Sequence, residues 1–149
     1  MSTPSIWLLL LPLLAGALMP LQAGVNGQLA SHLSSSLVAA LLSFLVGTLA
    51  LLAVVLLQRD LPALGQFKGL SWWHWTGGLM GAFFIATAAF SGPKIGALLF
   101  TAIILAGQLG AALLLDHFGW AGFREAPLSL GKLAGLGLVI AGVVLIQRG

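Results

Sequence analysis

The chain has 149 residues, of which 60% are hydrophobic and 6% are charged, and its formal net charge is +3. Soluble domains carry roughly 25% charged residues, so this composition excludes a water-soluble globular fold. The Lys and Arg residues are scattered, which indicates no nucleic-acid partner, and the lack of Cys excludes disulfides, thiolate metal sites and a Cys nucleophile.

Five long apolar stretches follow one another along the chain. A helix needs roughly 20 apolar residues to cross a hydrocarbon layer of about 30 Å. Lipid tolerates only helices or closed barrels, and these stretches are continuous rather than alternating, so they predict an all-α integral membrane protein. The whole chain, residues 1–149, is predicted to be a single transmembrane domain with spans at 5–30, 36–57, 72–91, 95–115 and 130–147.

The connections between these spans are short. They are predicted at residues 31–35, 58–71, Gly92-Pro93-Lys94 and 116–129. Trp72, Trp73 and Trp75 stand where the third span begins, at the depth of the lipid headgroups. No Lys or Arg precedes the apolar run 6–18, so we expect it to be a retained span rather than a cleaved signal peptide.

The first span contains the most unusual residues. Pro20 has no N–H to donate to the carbonyl of Gly16, so these two residues are predicted to form a hinge where the helix bends or opens. Gln22 and Asn26 are four residues apart and lie on one face. Their amides both donate and accept, which suits a polar or zwitterionic solute. Alternatively, the two amides join helices through interhelical hydrogen bonds.

Polar residues of later spans extend this candidate site. Gln108 lies near the middle of the fourth span, where an unpartnered amide costs several kcal/mol, so its side chain is expected to face protein or water. Ser43 of the second span is a weaker candidate, because hydroxyls in membrane helices often bond to a preceding carbonyl of their own helix. The predicted substrate-binding residues are therefore Gln22, Asn26, Ser43 and Gln108.

Two further features of the last spans concern assembly. Asp116 ends the fourth span, where its carboxylate opposes the helix dipole, and Arg124 or Lys132 is expected to pair with it as a structural latch. Gly135 and Gly142 are seven residues apart in the last span and lie on one stripe. Small residues let two helices approach closely, so this stripe is predicted to be a dimer seam.

The sequence offers little for catalysis. His32, His74 and His117 are dispersed and have no spacing typical of metal ligands, and no nucleophile, base and orienting group can be combined. We therefore expect no metal, no cofactor and no enzymatic activity.

The positive charges favour one orientation in the membrane. Four basic residues fall in loops on one side of the predicted spans and two on the other, which favours a cytoplasmic N-terminus. This bias is small and is compatible with insertion in both orientations. The two groups are Arg59, Lys68, Arg124 and Lys132 on the first side, and Lys94 and Arg148 on the second.

Several segments in this order resemble the YdcZ-like family of the drug/metabolite transporter superfamily, which is related to EamA-type and small multidrug resistance proteins. The segments are residues 15–23 with Val25-Asn26, residues 43–48, residues 107–109 with 116–119, and residues 127–129 before Gly135. The resemblance implies a multi-pass protein of the bacterial inner (plasma) membrane. It also implies five helices per subunit and assembly with a second copy or a paralogue into a ten-helix unit of inverted halves. Small multidrug resistance proteins couple protons through a Glu in the first helix, and this first span contains no acid.

The leading functional hypothesis is a transporter subunit that moves a small metabolite or drug by alternating access within a dimer. In this hypothesis the first and fourth helices of both subunits surround a pocket at the middle of the bilayer. Two alternatives are a flippase for lipids or lipid-linked headgroups, and a non-transporting assembly subunit in which the polar residues only join helices.

Overall fold

The computed structural model describes residues 6–149, except for the side chains of Trp7, Leu9 and Leu64. Within that range the chain is helical, with no strand, and five helices are long and apolar enough to cross a membrane, which confirms the predicted class. The predicted start of the first span at Ser5 lies outside the described residues. The helices are α1 (Ile6–Leu33), α2 (Ser36–Gln58), α3 (Thr76–Ile95), α4 (Ala97–Phe118) and α5 (Leu130–Arg148).

The chain forms two compact units, one ending at Lys94 and one beginning at Ile95. The first unit contains α1, α2 and nearly all of α3, and its buried side chains are mostly alanines. Small side chains allow helices to pack closely in a bilayer, where lipid tails are as apolar as leucine and larger apolar residues gain little by turning inward. The buried apolar residues of this unit are Ala23, Ala39, Ala40, Ile85, Ala88 and Ala89.

The ends of the helices differ from the prediction at the α3–α4 connection. Gly92-Pro93-Lys94 is not a turn but the last part of α3, and the chain turns instead at Gly96, whose φ is +84°. A proline near the end of a helix removes only one ladder hydrogen bond. The ammonium of Lys94 lies 3.2 Å from the centroid of the Phe90 ring, which adds a cation–π contact to this final turn.

Two other connections precede α2 and α3. The link between α1 and α2 shortens to Ser34 and Ser35, because α1 continues to Leu33. The Trp-rich segment is a 3-10 turn, Trp72–Trp75, that leads directly into α3 at Thr76, and the apolar stretch Trp72–Ile95 is long enough to cross a membrane. The Thr76 hydroxyl donates to the Trp73 carbonyl at 2.7 Å and joins the two elements.

In the second unit, α4 and α5 pack against each other. The N–H of Ala126 donates to the Asp116 carbonyl at 2.7 Å, which ties the connecting segment to the end of α4. The Lys132 ammonium donates to the carbonyls of Ala126 (2.8 Å) and Pro127 (3.2 Å). The Lys132 ammonium thus binds main-chain carbonyls of the connecting segment instead of the Asp116 carboxylate, so the predicted pair of Asp116 with Lys132 is not formed. The alternative pair of Asp116 with Arg124 stays a prediction.

Candidate functional site

An open groove of about 470 Å³ runs between α1 and α2 in the first unit. Three residues singled out from the sequence, Gln22, Asn26 and Ser43, lie together on its wall. The two amides come from successive turns of one face of α1, and the hydroxyl comes from the facing helix. The rest of the lining is aliphatic: Leu18, Leu21, Val25 and Leu29 of α1, and Leu42 and Val46 of α2.

Asn26 is the most constrained polar residue of this groove. Its side chain is only 4% exposed, and within the described residues its Nδ2 has no hydrogen-bond partner. A buried donor left without an acceptor costs about 1–3 kcal/mol. That free energy is recovered if another molecule or another chain supplies an acceptor, and both readings of Asn26 from the sequence, a solute site and an interhelical contact, stay predictions.

Gln22 and Ser43 also line a second, smaller groove of about 240 Å³. Its other lining residues include Thr48 of α2 and Ile85 of α3, and it adds the aromatic ring of Phe44. Gln22 is exposed and Ser43 is half-buried. Because these two residues belong to both grooves, they separate the apolar α1–α2 groove from a more polar neighbour that contains a threonine.

The predicted hinge lies on the same helix. α1 is continuous from Ile6 to Leu33 and includes Pro20, so the described helix does not open at this point. Gly16 is exposed, and a Cβ added there would meet no atom within 4 Å. The bending of α1 at Gly16 and Pro20 therefore stays a prediction.

Gln108 belongs to a different compact unit from the other three predicted binding residues. It is an exposed residue of α4 in the second unit, whereas Gln22, Asn26 and Ser43 belong to the first. The structure thus brings three of the four predicted binding residues into one groove. The participation of Gln108 stays a prediction.

The second unit has a groove of its own, between α4 and α5, of about 450 Å³. Gly135 lies in it, together with the charged residues Asp116 and Lys132 and a set of aliphatic side chains. A Cβ added to Gly135 would meet no atom within 4 Å, so the groove is open at this point. Gly142, the other residue of the predicted seam, is half-buried two turns further along α5.

Residues 7–145, which include all three grooves, match the family model described as "Putative inner membrane exporter, YdcZ". The chain belongs to the YdcZ family. A curated relative, "Inner membrane protein YdcZ" of Escherichia coli (strain K12), is 27% identical over 103 residues, which cover 68% of this chain and 68% of the relative. No solved structure matches the chain.

Membership of the YdcZ family confirms the resemblance read from the first, second and fourth spans. Together with the five apolar helices it supports a multi-pass protein of the inner membrane with a transporter role. The family description names an exporter, not an enzyme. Sequence reasoning missed the aliphatic half of the α1–α2 groove, because Leu18 or Val46 has no feature that distinguishes it from a lipid-facing residue.

Proposed function

We propose that this YdcZ-family chain is half of a dimeric exporter that moves a small metabolite or drug across the inner membrane by alternating access. The solute lies in the α1–α2 groove against Asn26, Gln22 and Ser43. The observation that carries this proposal is the buried Asn26, whose Nδ2 has no partner among the described residues, on the wall of a groove whose lining is mostly aliphatic. In a bilayer such an amide is costly unless it has a function or a partner.

A second subunit, identical or a paralogue, would complete the site. The groove of one subunit is open, and solute that is transported must be shielded from one side of the membrane at a time. In our proposal the partner covers the groove and contributes a second set of polar residues, with Gln108 among them, while Gly135 and Gly142 form the seam. Bending of α1 at Gly16 and Pro20 then opens the groove to either side.

The open, aliphatic groove also favours a second candidate, a lipid flippase. Acyl chains would fit a lateral groove lined by Leu18, Val25 and Val46, while a headgroup passed the polar residues. The two functions differ in their cargo. A flippase moves fluorescent phospholipid between the leaflets of a liposome, and an exporter of small molecules leaves that rate unchanged.

Transport is tested most directly in inverted membrane vesicles. Vesicles that contain the protein are incubated with a mixture of metabolites and drugs and washed, and their contents are quantified by mass spectrometry. We expect at least one compound to accumulate above the level in vesicles without the protein. The Asn26→Leu variant should lose this accumulation, and Gln28→Leu should keep it.

Gln28 is the matched control because it is an exposed residue of the same helix outside the groove. Both substitutions remove one amide and add one leucine, so they change the hydrophobicity of α1 alike. Equal accumulation by the wild-type protein and Asn26→Leu would show that the groove is not the solute site. A complete lack of accumulation for every compound would contradict a transporter of small molecules.

A further inference from the structure

No charged side chain of the described residues lines the α1–α2 groove. All nine of its lining residues are uncharged, and only Gln22, Asn26 and Ser43 are polar. The basic residues of this unit lie at helix ends or in connections, such as Lys94 in the last turn of α3 and Arg59 after α2. A charge transferred from water to such a surface loses several kcal/mol of hydration and finds no counter-ion to compensate.

From this we infer the substrate class: an uncharged amphiphile with an aliphatic body and one amide-like hydrogen-bonding group. The inference rests on the proposed transport function, and it concerns the same groove. It narrows the expectation from the sequence, in which two amides on one helix face suited polar or zwitterionic solutes in general. The aliphatic neighbours that the fold adds make a zwitterion unfavourable.

The side chains that line the groove indicate the apolar part of the solute. Six aliphatic side chains line the groove, and no aromatic ring of the described residues does. An alkyl chain or saturated ring therefore gains contact there, whereas a flat aromatic system finds no stacking partner among these residues. The volume of about 470 Å³ lies within the range of roughly 300–1,000 Å³ that is typical of small-molecule sites.

The polar group of the solute follows from Asn26. Its Nδ2 has no hydrogen-bond partner among the described residues, and its amide, like that of Gln22 on the same groove, both donates and accepts. A carboxamide on the solute can both accept from and donate to these two side-chain amides. A ketone or ester supplies only the acceptor, and an ammonium supplies only donors.

The test uses three alkyl probes of equal length, octanamide, octylammonium and octanoate, with the purified full-length protein in lipid nanodiscs. A photoreactive octanamide that carries a diazirine on its chain labels the protein, and mass spectrometry locates the labelled residues. Each unlabelled probe then competes with the label, at concentrations corrected for its measured partition into the bilayer. We expect labelling at α1 and α2, and we expect octanamide to compete at a concentration at least tenfold lower than either ion.

Two variants examine the groove itself. Asn26→Leu is expected to weaken competition by octanamide at least tenfold, and Gln28→Leu to leave it unchanged. Because loss of a buried residue sometimes impairs folding, Val46→Trp provides an independent block. Val46 is exposed on the groove wall, so an indole at this position fills the groove without changing a buried contact.

Each outcome bears on the two proposals separately. Stronger competition by octylammonium or octanoate would overturn the inferred substrate class and leave the transport proposal intact. If Asn26→Leu and Val46→Trp leave the labelling unchanged, the probe occupies the groove as a lipid does. That result would also overturn the inferred substrate class. Selective octanamide binding together with no accumulation of any compound in vesicles would support the class of ligand and contradict transport.

Discussion

Gly27 of α1 lies directly against the pyrrolidine ring of Pro93 of α3, so closely that a Cβ at position 27 would overlap the ring. The contact holds the end of α3 against α1 at the edge of the site-bearing unit. It also explains why Pro93 stands inside a helix: its ring packs against the bare backbone of a glycine. Only glycine gives α1 enough room for this approach.

The first prediction concerns this contact. Gly27→Ala should lower the stability of the protein by about 1–3 kcal/mol, the usual cost of overpacking a close contact. Gly24→Ala is the control, because a Cβ at position 24 meets no atom within 4 Å. The unfolding temperature in detergent, followed by circular dichroism, should fall for Gly27→Ala and stay near the wild-type value for Gly24→Ala.

A double variant separates the contact from the helix propensity of alanine. If the added methyl group of Gly27→Ala clashes with the Pro93 ring, then combining it with Pro93→Ala should recover much of the lost stability. The stability change of the double variant would then differ from the sum of the two single changes. Additive losses in the two single variants and the double variant would mean that the residues do not interact.

The same region shows what the sequence could and could not predict. The five spans are evident from apolar runs, because a bilayer imposes length and composition directly. The position of the turn between the third and fourth spans is not evident from the sequence, because Gly-Pro-Lys has the composition of a turn. Only the packing of Pro93 on Gly27 shows why this segment is helical. The polar half of the groove was predictable because Gln22 and Asn26 are costly in lipid. The participation of Gln108 stays a prediction, since it depends on how the helices rotate and assemble, about which one sequence contains no information.

The second prediction concerns the hinge. Pro20→Ala restores an N–H that can donate to the Gly16 carbonyl, so α1 should become stiffer at this point. If bending there opens the groove, accumulation in inverted vesicles should slow several-fold, while labelling by the photoreactive octanamide stays at the wild-type level. Pro12→Ala is the matched control, because Pro12 is also inside α1 but outside the groove. An equal effect of the two substitutions would mean that Pro20 has no special role.

The third prediction concerns the start of α5. The Ser129 hydroxyl accepts a hydrogen bond from the Lys132 N–H at 3.2 Å and caps the helix. Ser129→Ala should cost about 1 kcal/mol of stability, and Ser129→Asp should retain the cap. Ser71→Ala serves as the reference, because Ser71 precedes a 3-10 turn without a side-chain cap bond. Thermal unfolding of the three variants in one detergent provides the comparison. A loss of the same size for Ser71→Ala would show that the cap itself contributes nothing.

The fourth prediction concerns orientation. With five spans the two termini lie on opposite sides of the membrane, and the proposed cytoplasmic N-terminus places Gly149 in the periplasm. Alkaline phosphatase fused after Gly149 should therefore be active, and a green fluorescent protein fused there should stay dark. Because the bias of basic residues is small, we expect Lys94→Gln together with Arg148→Gln to strengthen this pattern, since a cytoplasmic N-terminus would place both charges on the periplasmic side. Strong activity of both reporters in the wild-type chain would indicate insertion in both orientations instead.

The fifth prediction concerns the dimer seam on α5. Gly135 opens into the α4–α5 groove, and Gly135→Leu fills the space that a partner helix would occupy. If the seam passes through this point, the substitution should shift the purified protein from dimer to monomer in size-exclusion chromatography with light scattering. Gly137→Leu adds the same side chain to an exposed position of α5 that does not line the groove, so it should remain dimeric. Dimers of equal stability in both variants would place the seam elsewhere, and a monomeric wild-type protein in lipid nanodiscs would contradict the dimer itself. Loss of the dimer in Gly135→Leu together with loss of vesicle accumulation would link assembly to transport, because the groove on α1 and α2 would then depend on a partner that binds through α5.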